Sequence, residues 1–130
     1  MKLYGSLFVV AINFFSASVF AQTSQAWEKA IVYAPGSSSP QALDRVKTDR
    51  TYPVVLFMHG CDGLGNRDTD SHAWGKLLAS EGLLVVMPDS LARSDRQPSC
   101  DPKARKFGLF PPVHAMRLEE IQYASALLSG

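Results

Sequence analysis

The sequence has no strong charge bias, no internal repeat and no apolar run long enough to cross a membrane. Its 13 Lys and Arg residues and 12 Asp and Glu residues give a net charge of +1 over 130 residues. Proteins that bind polyanions carry a clear basic excess, so no nucleic-acid partner is expected. Only two cysteines are present, which permits one disulfide at most. The composition, 46% hydrophobic and 19% charged, is that of one modest globular domain.

The amino terminus has the features of a secretory signal peptide. A lysine precedes an apolar stretch over residues 7–15, and Val19 and Ala21 suit the requirement of a signal peptidase for small residues. We predict that residues 1–21 are removed and that residues 22–130 form the mature chain. The apolar stretch is too short for a stable membrane span, so the mature protein is expected to be secreted or periplasmic.

Two apolar runs separated by a helical pattern predict a strand, a helix and a second strand. Residues 54–58 and 83–88 are apolar without alternation, which is typical of strands buried on both faces of a parallel sheet. Between them, residues 70–82 have apolar residues at helical spacing, with Asp70 or Ser71 as the capping residue and Gly82 where a helix would stop. The two strands would be parallel with a right-handed crossover, which brings the loops that follow them to one edge of the sheet.

Two further segments extend this pattern. Residues 29–34 are predicted as another strand and residues 113–128 as a second amphipathic helix. No strand follows that helix, although such a pattern normally continues into one. We therefore expect an α/β fold with a parallel sheet and flanking helices, in which the carboxyl-terminal strands are missing. The residues expected on the buried faces of the two helices are Ala73, Trp74, Leu77, Leu78, Val113, Met116, Ile121, Ala124, Leu127 and Leu128.

Cys61 and Cys100 both lie in the part of the chain that is expected to be exported. Disulfides form in such oxidising compartments, so a bridge between these two residues is chemically permitted. Both residues follow the ends of predicted neighbouring strands. The sequence does not fix the distance between their Cα atoms, and free thiols remain the alternative.

The loop after the first buried strand reads H-G-C-D-G-L-G over residues 59–65, and the second strand ends in M-P-D-S over residues 87–90. Together with P-V-V-L-F-M at 53–58 and W-G-K-L-L-A-S-E-G at 74–82, these motifs resemble the dienelactone hydrolase-like family of the α/β-hydrolase superfamily. The resemblance covers roughly residues 27–130 and only the amino-terminal half of such an enzyme. It implies a partial α/β-hydrolase fold and hydrolysis of an ester or lactone through an acyl-enzyme.

The resemblance assigns roles to the turn after the first buried strand. In that family the turn after H-G donates a backbone N–H to the oxyanion hole, where fixed donors stabilise the negative charge of the reacting carbonyl oxygen. By position, Cys61 and then Asp62 supply this donor here, and His59, Gly60 and Gly63 complete the motif. The partner would be a small-molecule ester or lactone, once the missing half completes the site.

The chain lacks the nucleophile of that family. The family places Ser or Cys in a G-x-S-x-G turn, or its Cys version, after a later strand, and an acid and a histidine follow. The sequence contains no such turn. We therefore expect residues 22–130 to be the amino-terminal part of a hydrolase domain that is inactive as written. The strand at 54–58 would then have an open apolar edge, which favours self-association.

Two alternatives remain open at this point. Cys61 could itself attack a substrate, with His114 as the base and Asp89 as the orienting acid, provided that no disulfide occupies the sulfur. The chain could instead be a small secreted binding module without catalytic activity, which uses the loops at 59–70 and 89–112. An enzyme of the first kind needs a free thiol, whereas the module tolerates a bridge.

No metal or cofactor is expected. The glycines of the turn at 59–65 have the order G-x-x-G-x-G, which differs from the G-x-G-x-x-G of a dinucleotide-binding loop. Asn66, Asp68 and Asp70 alternate as in a calcium loop, but Leu77 stands where such a loop requires a bidentate Glu. Helix capping explains these polar residues better.

The remaining charged residues and histidines have simple structural interpretations. His59 is expected to hydrogen-bond within its own loop, and His72 to be solvated in the first turn of its helix. The basic residues between 93 and 106, beginning with Arg93, are expected to form a solvated loop.

Overall fold

The computed structural model describes residues 13–47, 50–96, 100 and 110–129, and the side chains of residues 13–19 are not described. The predicted signal peptide therefore lies in part outside the described residues. Short 3-10 turns follow the second and fourth strands. The helices and strands are α1 (Asn13–Glu28), β1 (Ile31–Tyr33), β2 (Gln41–Ala42), β3 (Val54–Leu56), α2 (Asp70–Ser80), β4 (Leu84–Met87) and α3 (Pro111–Leu128).

The strands form one mixed sheet in the order β2-β1-β4-β3. β3 and β4 are parallel, with Val55 opposite Val85. β1 is antiparallel to β4, with Val32 opposite Val86, and is also antiparallel to β2. The predicted parallel sheet is therefore present only in the pair of β3 and β4, and the chain has a mixed α/β fold. An apolar run indicates burial on both faces but carries no information on the direction of the neighbouring strand.

The predicted strand-helix-strand unit is present as β3, α2 and β4. Gly82 has a φ of +86°, which a residue with a side chain rarely adopts, and its N–H donates to the carbonyl of Ala79 over 3.0 Å. The chain thus leaves the helix where the sequence predicted and enters β4 directly. The loops after β3 and β4 consequently lie at the same edge of the sheet.

Two apolar layers cover the two faces of the sheet. Towards α2, the buried cluster contains Tyr33, Ala79, Val85 and Met87. On the opposite face, the buried cluster contains Ala30, Val32 and Val86. Consecutive strand residues thus alternate between the two layers, as the pleat of a strand requires.

Helix α2 buries a face different from the predicted one. Its buried residues are Ser71, His72, Gly75 and Ala79, whereas Trp74 and Leu77 are each 51% exposed. A Cβ on Gly75 would lie 2.6 Å from the ring of Tyr33, so this glycine lets the helix backbone approach the sheet closely. Ala73, Trp74 and Leu77 were therefore wrongly predicted as buried, because the apolar stripe faces outward. Of that stripe, Leu78 is half-buried and packs against the cluster beside α2.

Helix α3 begins slightly before its predicted start and packs against α1. Its buried residues are Met116, Glu120 and Ala124, which are spaced at intervals of four residues. Met116 and Ala124 were predicted on the buried face, and Val113 is half-buried. Ile121, Leu127 and Leu128 were not correctly predicted, because 38%, 50% and 43% of their respective surfaces is exposed.

Helix α1 runs through the predicted cleavage position without a break. Beyond that position, the carbonyl of Ala26 accepts the N–H of Asp89 over 2.9 Å, which ties this end of the helix to the end of β4. Among the residues that the structure describes, no helix is long and apolar enough to cross a membrane.

Candidate functional site

A cavity of about 370 Å³ lies at the sheet edge where β3 and β4 end. The turn after β3, the segment after β4 and the first two turns of α3 surround it. Pockets for small molecules typically have volumes of a few hundred Å³, so this cavity is large enough for one. Residues from these three segments that line it include His59, Cys61, Ser90, Cys100, His114 and Arg117.

The turn after β3 has a conformation that requires glycine. Gly63 has a φ of +66°, and a Cβ at this position would lie 2.5 Å from the Cδ1 atom of Leu91. The N–H of Gly63 donates to the carbonyl of Gly60 over 3.3 Å and closes the turn. Cys61 and Asp62, between them, are exposed. Within the described parts of the chain, the N–H groups of Cys61 and Asp62 have no hydrogen-bond acceptor.

Two residues at the start of α2 contact both ends of the turn that follows β3. The hydroxyl of Ser71 accepts the N–H of Gly60 over 3.4 Å, and Nε2 of His72 lies 3.1 Å from the carbonyl oxygen of Leu64. His72 is only 1% exposed, and its Nδ1 lies 2.7 Å from the hydroxyl of Tyr33. The prediction that His72 is solvated was wrong, because α2 presents its Ser71, His72 and Gly75 face to the sheet.

Cys61 and Cys100 form a disulfide, with their Cα atoms 5.9 Å apart. The permitted bridge is therefore present. It links the turn after β3 to the segment after β4, and both cysteines line the cavity. A disulfide fits an oxidising compartment and leaves no thiolate on Cys61.

His59 is buried between the two loops and hydrogen-bonded at both ring nitrogens. Nδ1 lies 2.8 Å from the carbonyl oxygen of Gly60, which can only accept, so the proton is on Nδ1. Nε2 accepts the N–H of Ser90 over 3.1 Å. The predicted bond within its own loop is thus confirmed. Burial is the main reason that the pKa of His59 lies below its usual value, and nearby Arg117 acts in the same direction.

A buried polar cluster behind the cavity joins the segment after β4 to α3. The hydroxyl of Ser90 donates to Oε2 of Glu120 over 2.5 Å, and both residues are buried. Nε and Nη2 of Arg93 donate to the two oxygens of Asp95, each over 2.8 Å. Nη2 of Arg93 also donates to Glu119 over 2.9 Å, and Nη1 donates to the carbonyl of Met116 over 3.2 Å.

The charges of this cluster perturb one another. The hydrogen bond with Arg93 lowers the pKa of Asp95, and the hydrogen bonds with Asp95 raise the pKa of Arg93. Burial raises the pKa of Glu120, although Ser90 and the two nearby arginines oppose that effect. Arg93 is 3% exposed, so the prediction of a solvated loop was wrong for this residue, whereas Arg96 is exposed as predicted. The other basic residues of that loop lie largely outside the described residues.

Arg117 carries an unpaired buried nitrogen. It lines the cavity, and its Nη2 lies 3.5 Å from Nδ1 of His59. Its Nη1 is inaccessible and has no hydrogen-bond partner in the described part of the chain, and the same holds for Oε1 of Glu120. Burial lowers the pKa of Arg117, while Glu120 and Asp89 oppose this effect.

The structure brings together only part of the alternative triad. Cys61 and His114 line the same cavity, but the sulfur of Cys61 is in the disulfide. Oδ1 of Asp89 accepts the N–H of Leu91 over 3.0 Å and lies 3.7 Å from Nε2 of His59. No hydrogen bond joins Asp89 to His114 among the contacts of the described residues.

Sequence reasoning missed the buried cluster of Ser90, Arg93 and Glu120. Glu120 follows Met116 by four residues and precedes Ala124 by four, so a carboxylate interrupts an apolar stripe. A buried carboxylate requires a donor or cation nearby, so this interruption was a signal for a polar cluster, although it did not identify Arg93 as the partner. In the described residues, no group of three or more His, Cys, Asp or Glu side chains is arranged to hold a metal ion.

Comparison with protein-family models, with curated proteins and with solved structures gives no match for this chain.

Proposed function

We propose that this chain is an exported protein of the α/β-hydrolase type, similar to dienelactone hydrolases, and that it supplies the oxyanion side of a site for ester or lactone hydrolysis. The observation that carries the proposal is the turn between Gly60 and Gly63. Among the residues that the structure describes, the N–H groups of Cys61 and Asp62 have no hydrogen-bond acceptor, and Cys61 lines a cavity of about 370 Å³. Backbone donors that lack an internal partner beside a cavity are suited to a ligand oxygen.

The chemistry of such donors follows from their rigidity. When a nucleophile adds to an ester or lactone carbonyl, the carbonyl oxygen becomes an anion that fixed N–H groups stabilise. Removal of one such donor typically costs roughly 3 kcal/mol of transition-state stabilisation. The disulfide at Cys61 and the left-handed conformation of Gly63 fix the turn before any substrate binds. The donors therefore need little reorganisation during the reaction.

His59 has a different role in this proposal. Its Nε2 accepts the N–H of Ser90, and its Nδ1–H donates to the carbonyl of Gly60. Both ring nitrogens are thus engaged, and the ring joins the two loops that border the cavity. His59 therefore holds the two loops together in this proposal and does not transfer a proton.

In this proposal the chain lacks the nucleophile of the family, because its sequence contains no G-x-S-x-G turn. The hydroxyl of Ser90 donates a hydrogen bond to Glu120, and the sulfur of Cys61 is in a disulfide. Neither side chain is therefore a free nucleophile beside a histidine base. The 130-residue chain alone is expected to be inactive against esters and lactones.

The test uses an anion that resembles the tetrahedral intermediate. We expect that titration of the ¹⁵N-labelled chain with ethyl methylphosphonate monoanion shifts the amide resonances of Cys61 and Asp62 downfield and saturably. The neutral diethyl methylphosphonate is the matched control, because it has the same tetrahedral centre without the charge. If chloride at the same ionic strength produces equal shifts, or if the shifts are absent, the oxyanion role is wrong.

A binding module without catalytic activity is the second candidate. The volume of the cavity and the apolar parts of its wall, which include Met58, Leu91 and Val113, favour a small apolar ligand. If the chain is such a binding module, the neutral phosphonate diester binds at least as tightly as the monoanion. The same titration therefore separates the two candidates.

A further inference from the structure

Two adjacent residues of α2 hold the turn that carries the proposed oxyanion donors. The hydroxyl of Ser71 accepts the N–H of Gly60, and the ring of His72 contacts the carbonyl of Leu64, 3.4 Å and 3.1 Å away respectively. Gly60 and Leu64 flank the segment that contains Cys61. The start of α2 thereby fixes the turn at both ends.

The proton positions in this group are determined by chemistry. A carbonyl oxygen can only accept, so Nε2 of His72 carries the proton that is donated to Leu64. Nδ1 is then an acceptor, and the hydroxyl of Tyr33 donates to it over 2.7 Å. Tyr33 and His72 are 0% and 1% exposed, so water does not replace either bond.

The position of Tyr33 is itself tightly fixed. Its ring lies so close to α2 that a Cβ on Gly75 would be 2.6 Å from it. The centroids of the Tyr33 and His72 rings are 6.0 Å apart, with the planes at 72°. Tyr33 belongs to β1, one of the two inner strands, so the hydrogen-bonded path runs from the interior of the sheet to the turn.

We infer that Tyr33 and His72 are positioning residues for the oxyanion donors at Cys61 and Asp62. Tyr33 sets the tautomer and orientation of the His72 ring, and His72 holds the carbonyl of Leu64. This inference rests on the proposed function, because it concerns the same donors. Two apolar side chains could fill the same space, but they would provide no directional link to the turn.

The test measures hydrogen exchange of the Gly63 amide by NMR in the full chain. Tyr33→Phe removes only the hydroxyl, His72→Leu removes both ring nitrogens, and His72→Gln restores a donor near the position of Nε2. The control is Val32→Ala, because Val32 is fully buried in the apolar layer on the opposite face of the sheet. Amides that exchange through local opening respond to local contacts and not to global stability.

We expect Gly63 to exchange about fivefold faster in Tyr33→Phe, which is the effect of losing one neutral hydrogen bond. His72→Leu should produce a larger change, and His72→Gln should return the rate towards that of the original chain. Val32→Ala should lower the melting temperature without changing the exchange of Gly63. Equal exchange in the original chain and Tyr33→Phe, or an equal increase in Val32→Ala, would overturn the inference. Tyr33→Phe decides the question if His72→Leu does not fold.

The phosphonate titration on the same samples separates the two proposals. If Tyr33→Phe accelerates the exchange of Gly63 but the original chain shows no phosphonate shift, the turn is positioned as inferred and the oxyanion function is wrong. If the original chain binds the phosphonate and Tyr33→Phe leaves both exchange and affinity unchanged, the positioning role is wrong and the function stands.

Discussion

The hydroxyl of Ser90 donates a 2.5 Å hydrogen bond to Oε2 of Glu120, and the two residues are 1% and 2% exposed. This bond joins the segment after β4 to helix α3 behind the cavity. Burial raises the pKa of Glu120 in spite of Ser90 and the arginines around it. The desolvation of the carboxylate thus outweighs the attraction that Arg117 and Arg93 provide.

The first prediction concerns the pH dependence caused by Glu120. Because its pKa is higher in the folded state, the folded chain binds more protons above the unfolded value of 4.5, and stability from this group falls as pH rises. Glu120→Gln keeps the shape and an acceptor for Ser90 but does not titrate. We expect its free energy of unfolding, relative to that of the original chain, to increase from about pH 4 to about pH 7 in urea titrations.

Glu119→Gln is the control for this measurement. It removes the charge of a carboxylate that accepts from Arg93 and whose side chain is 40% exposed. The free energy of unfolding should therefore change by less than about 1 kcal/mol. The free energy of unfolding of Glu120→Gln, relative to that of the original chain, could instead decrease over the same pH range. That result would show that the surroundings of Glu120 stabilise its ionised form.

The sequence predicted α2, α3 and the parallel pair of β3 and β4, because apolar runs and the glycine that ends α2 are local signals. The predicted cap at Asp70 was wrong, because the N-cap of α2 is Thr69, which makes no side-chain cap hydrogen bond. It did not predict the antiparallel β1, since strand direction depends on contacts between distant segments. The outward orientation of Trp74 also had no local signal. It results from the contact of Gly75 with Tyr33, which lies far from it in the sequence.

The second prediction concerns His59. Burial lowers the pKa of His59 below its usual value of 6.5. At pH values around 6.5 and below, the unfolded chain therefore binds more protons than the folded chain, and the folded chain loses stability as the pH falls. We expect the original chain to lose stability between about pH 7.5 and about pH 5.5 by more than His59→Gln does. His114→Gln, at an exposed position beside the same cavity, is the control and should retain the pH dependence of the original chain.

The third prediction concerns the Cys61–Cys100 disulfide, which joins residues 39 positions apart. For a loop of that length, the loss of the cross-link is expected to lower the free energy of unfolding by about 4 kcal/mol in the chain-entropy model. The double variant Cys61→Ala, Cys100→Ala should show this loss in urea titrations. Reduction of the original chain with dithiothreitol should reproduce it, and an unchanged midpoint after reduction would show that the bond contributes no stability.

Reduction also tests the alternative in which Cys61 is a nucleophile. The structure places Asp89 beside His59, with Oδ1 3.7 Å from Nε2, and leaves His114 exposed, so the reduced chain should hydrolyse p-nitrophenyl acetate no faster than Cys61→Ala does. A rate that increases on reduction and is lost in both Cys61→Ala and His114→Ala would establish that alternative instead.

The site was predictable where a motif carried it. The H-G-C-D-G-L motif predicted a glycine-dependent turn at this edge of the sheet, and the cysteine count permitted the bridge with Cys100 that the structure contains. The role of Cys61 and Asp62 as backbone donors stays a proposal. The contacts that fix the turn were not predictable, because Tyr33 and His72 are separated by 39 residues and neither belongs to a recognised pattern. A helix face must be known before a polar residue on it can be assigned to the core, and the face of α2 was predicted incorrectly.

The last prediction concerns the edge of the sheet at β3. In the described part of the chain, β3 pairs with β4 on one side and with no strand on the other, and Val54 is 41% exposed. Open apolar edges pair with other chains, so we expect the isolated protein to self-associate in analytical ultracentrifugation. Val54→Lys places a charge on that edge and should increase the monomer fraction. Leu77→Lys removes an exposed apolar residue from α2 instead, and if it has the same effect, general hydrophobic attraction and not edge pairing drives association.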